Sequence, residues 1–338
     1  MRIAVVGLGF MGATHIRAIQ KVAGLDLAAV VDRNEERFSG DLSAIQGNLG
    51  DANQVFDFSQ VKKYQRFPDA FADPDIDAVS ICLPTLLHAS ISIAALRAGK
   101  HVLVEKPMAA DPAGAAQMIE EARKAGKVLM AAQVLRFFPA YTALKEFIDS
   151  GRLGAIRSAV FRRRCAQPRW SEWLRNPESG GGVFDLLIHD VDMCLHLFGK
   201  PRAATATGYE NLEAGVDLLD ASLLYEGLSA SVSGGWHHAG DYPFSMEYTV
   251  VGDRGVLEFS SASAVKGPTF YAAGGGQEAV LVAESDAFAE EIAYFAECCR
   301  KAEEPARCRP EESAEAVRLT RALQEARRNP GERIEWHS

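Results

Sequence analysis

Apolar and polar positions follow two rhythms along this chain, and the change between them divides it. In the first third, short apolar runs alternate with stretches of helical periodicity. Arg2-Ile3-Ala4-Val5-Val6 is a β-branched run of strand length with an amphipathic stretch behind it. Leu27-Ala28-Ala29-Val30-Val31, Asp77 to Leu83 and His101 to Val104 repeat the pattern. Between them the spacing predicts a helix from about His88 to Ala98, closed by Gly99. A second helix is capped by Asp111, with Pro112 at its first position and Gly126 past its end. Lys127–Ala132 reads as a further strand, and residues 34–66 are polar and poorly periodic, with a strand near Val61–Phe67. Repeated βα units of this kind predict a parallel, doubly wound sheet.

The rhythm changes near residue 134. A helix from about Pro139 to Asp149 ends at Gly151, 154–164 is strand-like, and a helix follows the glycines at 180–182. Alternating runs then recur at 202–209, 217–225, 228–236, 244–251 and 255–259, separated by Gly, Asp and Pro. Alternation with short breaks predicts a mainly antiparallel sheet. Ala272-Ala273-Gly274-Gly275-Gly276 reads as an exposed loop, and helices at about 286–301 and 311–328 close the chain. No internal repeat is visible.

Between the first strand and helix lies Gly7-Leu8-Gly9-Phe10-Met11-Gly12. Strand, GxGxxG, helix is the dinucleotide-binding fingerprint in its required context. The first glycine serves the turn, the second admits a pyrophosphate, and the third lets helix and strand pack closely. The helix N-terminus offers N–H groups and partial positive charge to phosphate. Asp32, at the end of the second strand, stands where a carboxylate accepts hydrogen bonds from the adenosine ribose. It favours NAD, because a carboxylate repels a 2′-phosphate. Arg33 beside it leaves NADP open. The expected fold class is therefore α/β. A Rossmann domain spans 1–133 and an α+β domain with a large antiparallel sheet spans 134–338, its last helices free to pack back on the first.

The 338 residues suffice for two domains, and 48% apolar content supports full cores. A formal charge of −9 argues against a nucleic-acid surface. Arg162-Arg163-Arg164 is the one dense basic run and reads as part of a strand. Six cysteines without a CxxC pair point to free thiols in a reducing compartment rather than a zinc site. No run reaches membrane-spanning length, and the first strand leaves no room for a signal peptide. The expectation is a cytoplasmic protein without nucleic-acid or membrane partners.

Candidate chemistry falls where such a cleft would hold it. Leu83-Pro84-Thr85 and Glu105-Lys106-Pro107 follow the carboxyl ends of their strands, the edge at which doubly wound sheets bind ligands. Pro107 restricts Lys106 to an extended backbone. Lys106 there either hydrogen-bonds a substrate hydroxyl or is a surface lysine paired with Glu105. In the helix after Gly180-Gly181-Gly182, Asp185 and His189 are four apart and share a face. A carboxylate beside an imidazole suits a general base near neutral pH, although such pairs are also common as plain structure. Capping or salt bridges account better for Asp190 and Asp192. No third ligand completes a metal site.

Together these segments resemble the Gfo/Idh/MocA oxidoreductases, which include inositol and glucose–fructose dehydrogenases. Nearly the whole chain takes part. Gly7 to Gly12 matches, as do Asp75 to Val79 with Leu83-Pro84-Thr85 and His88, and then Ala98 to Pro107. Arg136-Phe137, Gly151-Arg152-Leu153-Gly154, Gly180 to Asp192 and the Val251–Gly255 turn continue it. The resemblance implies that Lys106 contacts substrate and nicotinamide and that Asp185 and His189 form a catalytic dyad. It implies a cofactor contact for His88, alongside the glycine loop and the two strand ends. The reaction implied is reversible hydride transfer between a secondary hydroxyl of a sugar or cyclitol and NAD. Arg164, Trp170, Trp236 and His237 are candidates to line the sugar site, or core and rim residues. The family further implies a homodimer or homotetramer through the second sheet. Residues 40–66 depart from the pattern. So does Gln133-Val134-Leu135, where many members are more polar or carry arginine, and this leaves the substrate open. Two alternatives stand beside the reading: a non-catalytic dinucleotide sensor, and a reductase of a non-sugar substrate such as a dihydrodiol.

Overall fold

A computed structural model describes residues 1–45, 47, 55–168, 171–237 and 240–336. The chain divides into two units. Met1–Val134 with Asp286–Val317 forms the first, and Leu135–Ser285 with the chain from Arg318 onward forms the second.

In the first unit, β1 (Arg2–Val6) leads through a glycine loop into α1 (Phe10–Ile19), and β2 (Asp26–Val31) follows. Next come β3 (Lys62–Tyr64), α2 (Phe67–Ala72), β4 (Ala78–Ile81), α3 (His88–Arg97), β5 (His101–Glu105), α4 (Pro112–Ala125) and β6 (Leu129–Ala132). The strands form a parallel sheet in the order β3-β2-β1-β4-β5-β6. Ile3, Ala4, Val5, Val30, Val79 and Val102 to Val104 are fully buried, as continuous apolar strands covered on both faces should be. The capping read from the sequence holds at α4. Asp111 Oδ1 accepts the Gly114 N–H at 2.8 Å, and Gly126 closes the helix at φ +63°. The strand order reverses between β1 and β4, the crevice in which such sheets bind ligands.

The second unit begins with α5 (Pro139–Asp149), β7 (Ile156–Cys165), α6 (Glu172–Arg175) and α7 (Ile188–Phe198). It continues with β8 (Ala203–Asn211), β9 (Val216–Leu224), β10 (Ser229–His237), β11 (Ser245–Gly252), β12 (Gly255–Ser260), β13 (Thr269–Ala272) and β14 (Gln277–Ala279). Then α8 (Ala287–Lys301) groups with the first unit and packs on α1. The grouping changes at Val317 within α9 (Pro310–Arg327), and β15 (Arg333–Glu335) is the last strand among the described residues. The second sheet has the order β14-β13-β12-β11-β7-β10-β9-β8-β15. All its pairs are antiparallel except β7 with β10, which run parallel from Ser158↔Ser229 to Cys165↔Trp236.

Sequence and structure differ at the short elements. β13, β14 and β15 are three or four residues long, too short for a period of two to stand out. The predicted loop at 272–276 is the turn that joins β13 to β14. Among the described residues, no helix is long and apolar enough to cross a membrane.

Candidate active site

The glycine loop is built by steric necessity. Gly7 sits at φ +95°, and a Cβ there would meet the Cys82 carbonyl oxygen at 2.5 Å. A Cβ on Gly12 would lie 1.9 Å from the Gly7 oxygen, so helix and loop close only on glycine. Gly9 is different, since nothing lies within 4 Å of its would-be Cβ. That open space, beside a helix start with no side-chain cap and no acid in its first turn, fits a pyrophosphate. Leu8, Phe10 and Met11 complete the loop, and Leu8 is fully buried.

Asp32 follows β2 and serves this loop directly. Its Oδ2 accepts the Leu8 N–H at 2.8 Å and Arg37 Nη1 at 2.9 Å, and its Oδ1 accepts the Asn34 N–H at 2.8 Å. The guanidinium beside the carboxylate therefore belongs to Arg37. Arg33, singled out from the sequence, is exposed. A single 3-10 turn over Glu35–Ser39 brings Arg37 back, which spacing along the sequence did not signal.

At the carboxyl edges of β4 and β5, buried side chains fasten the backbone around Lys106. Glu105 Oε2 accepts the Lys106 N–H at 3.0 Å, and its Oε1 pairs with His15 Nε2 at 2.9 Å. His15 Nδ1 lies 2.7 Å from Ser80 Oγ. Burial alone would lower the pKa of His15, but facing Cys82 and Glu105 carry it well above the usual histidine value. Burial likewise works against the Glu105 charge, and His15 outweighs it and holds the carboxyl low. His88 is 1% exposed, and its ring nitrogens lie 2.7 Å from the Pro107 and Leu83 carbonyl oxygens. His88 thus lies between the two loops, and because burial lowers its pKa, the neutral ring donates its one N–H to one of these carbonyls. Leu83 and Pro84 are half-buried and Thr85 is buried, at the start of a 3-10 turn over Thr85–Leu87.

In the second unit, the three glycines again mark close approaches. A Cβ on Gly181 would meet Asp217 Oδ2 at 2.4 Å, and one on Gly182 would meet the Trp236 indole at 2.5 Å. They open onto a π-helical turn, Val183–Leu187, which runs into α7. Single π turns recur at functional sites. Asp185 on that turn is half-buried, and His189 on the first turn of α7 is 9% exposed. Their spacing keeps both on one side of the helix. Asp190 and Asp192 are spent on structure. Arg163 donates to Asp190 at 2.8 and 3.1 Å, and Arg136 donates to Asp192 at 2.9 and 2.7 Å, all four side chains being buried.

The residues named as candidates to line a sugar site, or as core and rim, take several places. Trp236 is fully buried in a cluster with Cys165 and Leu186, so it is core. Arg164 is tied to Glu247 at 2.7 Å across β7 and β11, and Arg162 pairs with the same carboxylate. His237 stacks on Tyr242 with ring centroids 5.0 Å apart, and Trp170 lies outside the described residues. Among the described residues, no group of three or more His, Cys, Asp or Glu is placed to hold a metal ion.

Residues 1–133 match the model of the oxidoreductase family with an NAD-binding Rossmann fold, and 141–258 match the GFO/IDH/MocA C-terminal domain. The chain is 32% identical over 201 residues to myo-inositol 2-dehydrogenase of Thermotoga maritima, a match covering 59% of this chain. It spans about half, 55%, of that relative's length. It is also 32% identical to dTDP-3,4-didehydro-2,6-dideoxy-alpha-D-glucose 3-reductase of Streptomyces violaceoruber, over 68% of each chain. Among solved structures, levoglucosan dehydrogenase in complex with NADH and L-sorbose superposes with a TM-score of 0.83 at 20% identity, covering 97% of both chains. Aldose-aldose oxidoreductase from Caulobacter crescentus, complexed with glycerol, gives 0.83 at 24% identity over 99% of both. These two likenesses establish the fold.

Proposed function

The chain belongs to the Gfo/Idh/MocA family of NAD-binding oxidoreductases, and on that premise we propose that it reversibly oxidises a secondary hydroxyl of a sugar or cyclitol with NAD. The observation that carries the reading is the carboxyl edge of the first sheet. There the loop is open at Gly9, Asp32 stands beside it, and Lys106 is fastened by its own backbone N–H to Glu105. Relatives named for inositol and for sugar nucleotides support the substrate class. When bound, nicotinamide supplies the hydride acceptor. This chain's residues do the rest. Lys106 hydrogen-bonds the hydroxyl oxygen, His189 accepts the hydroxyl proton on its ring, and Asp185 steadies the resulting imidazolium.

Asp32 favours NAD over NADP. Its carboxylate caps the loop beside the ribose position, and Arg37 partly neutralises it.

Screening inositols, aldoses and sugar acids with NAD and NADP tests the class. Lys106→Ala and His189→Ala should each lower kcat/KM on the true substrate at least about 100-fold, with NADH affinity nearly unchanged. Near-wild-type turnover in either variant refutes the assignment. Tight NADH binding without turnover on any polyol would favour the sensor reading. Asp32→Ala should weaken NAD more than NADP, and an equal loss would show that Asp32 does not read the ribose.

A further inference from the structure

We propose that the side-chain amide of Gln133 holds the carboxamide of the bound nicotinamide. The inference rests on the NAD-binding reading above and names a further contact in it. Gln133 directly follows β6 and is 1% exposed, yet neither its Oε1 nor its Nε2 has a hydrogen-bond partner. Nearly all buried polar side-chain atoms in native proteins are paired. A glutamine carries an acceptor oxygen and two N–H donors, so both ends of this amide call for a partner that accepts and donates at once.

Place in the sheet selects the partner. The parallel register runs from Val102↔Leu129 to Glu105↔Ala132. One residue further along each chain brings Lys106 and Gln133 to the same edge. In a doubly wound sheet the dinucleotide crosses the switch point, here between β1 and β4. Its adenosine half lies on the side of β1, β2 and Asp32, so its nicotinamide half lies over β4, β5 and β6. At a strand spacing of about 4.8 Å, β6 is about 14 Å from the glycine-bearing strand, beyond the strand that carries Lys106. A nicotinamide held beside Lys106 would have β6, with Gln133 just past its end, as the next strand of the sheet. The carboxamide matches Gln133 atom for atom. Gln133 Nε2–H donates to the carboxamide oxygen, and Gln133 Oε1 accepts the carboxamide N–H.

The test compares wild type with Gln133→Leu, which keeps the volume and removes the polar atoms, and with Gln133→Glu, which removes the donors. NADH is titrated by its fluorescence. NAD is then compared with its 3-acetylpyridine analogue, in which a methyl ketone replaces the amide and its N–H donors are lost. Melting of the ligand-free proteins is followed alongside. Both variants should bind NADH roughly ten- to a hundredfold more weakly. Wild type should prefer NAD to the acetylpyridine analogue, and Gln133→Leu should lose that preference. Ligand-free Gln133→Leu should melt no lower than wild type, because it removes unpaired groups instead of breaking a pair. Unchanged NADH affinity in Gln133→Leu overturns the proposal, as does weaker binding with the preference intact. A rise in polyol KM alone also overturns it and assigns the amide to the substrate. A much lower melting point would show that Gln133 is partnered within the protein, which overturns it as well. Failure of wild type to bind NADH at all would instead refute the NAD reading on which the proposal stands.

Discussion

Lys106 owes its backbone position to side chains that are themselves out of solvent. Glu105 accepts its N–H, and His15 pairs with Glu105 from α1. A buried ion pair is costly to break from one side, by about 3–5 kcal/mol, because the remaining charge is left uncompensated. The pH dependence follows from the two shifts. His15 is raised above 6.5, so its contribution is complete below that value and is lost as pH rises through the raised pKa. Glu105 is lowered below 4.5, so its contribution is present above that value and is lost as pH falls through the lowered pKa. The pair is therefore fully stabilising between about pH 4.5 and 6.5. Urea unfolding of wild type and His15→Gln should differ most within this window, and the gap should narrow in alkali. A gap that stays constant as pH rises from this window into alkali would mean that His15 is neutral in the fold. Lys106 and Glu105 were legible as neighbours in sequence. His15 was not, because it reaches Glu105 across 90 positions.

The elements that carry function were mostly legible, for a local reason. Caps, glycine turns and apolar spacing act within a few residues, so α3, α4, α5 and the longer strands emerged close to their observed bounds. The turn after Gly182 was read as helix and is one, but its π geometry was not visible in the spacing. Nor was the reason for Gly182. Its Cβ would stand 2.5 Å from an indole that is fully buried. Gly182→Ala must displace Trp236 or the helix start, at a cost of about 1–3 kcal/mol. Because Asp185 and His189 sit just beyond, kcat should fall with stability, while NADH affinity, which belongs to the first unit, should hold. A wild-type melting temperature together with wild-type kcat would show that the indole gives way without consequence. Asp190 and Asp192 illustrate the opposite limit. Salt bridges were a fair expectation for both, but their partners, Arg163 and Arg136, lie 27 and 56 positions away.

At the scale of the whole chain, the alternation of βα units and then of simple strands was enough to separate a parallel from an antiparallel sheet, because burial on one or both faces writes itself into sequence rhythm. The places of the glycine loop, Asp32, Lys106, Asp185 and His189 in their elements were likewise legible in the sequence, since each depends on backbone conformation or on contacts within one helical turn. Tertiary structure decided what distant residues make of those positions. It put Arg37 on Asp32 and enclosed Trp236 in the core. It set His88 between two loops and left the buried amide of Gln133 without a partner. It also grouped Asp286–Val317 with the first unit. The physical reason is the same in each case. Burial and pairing are set by which side chains packing brings together, and that information is spread over the whole chain and does not reside in any one stretch of it.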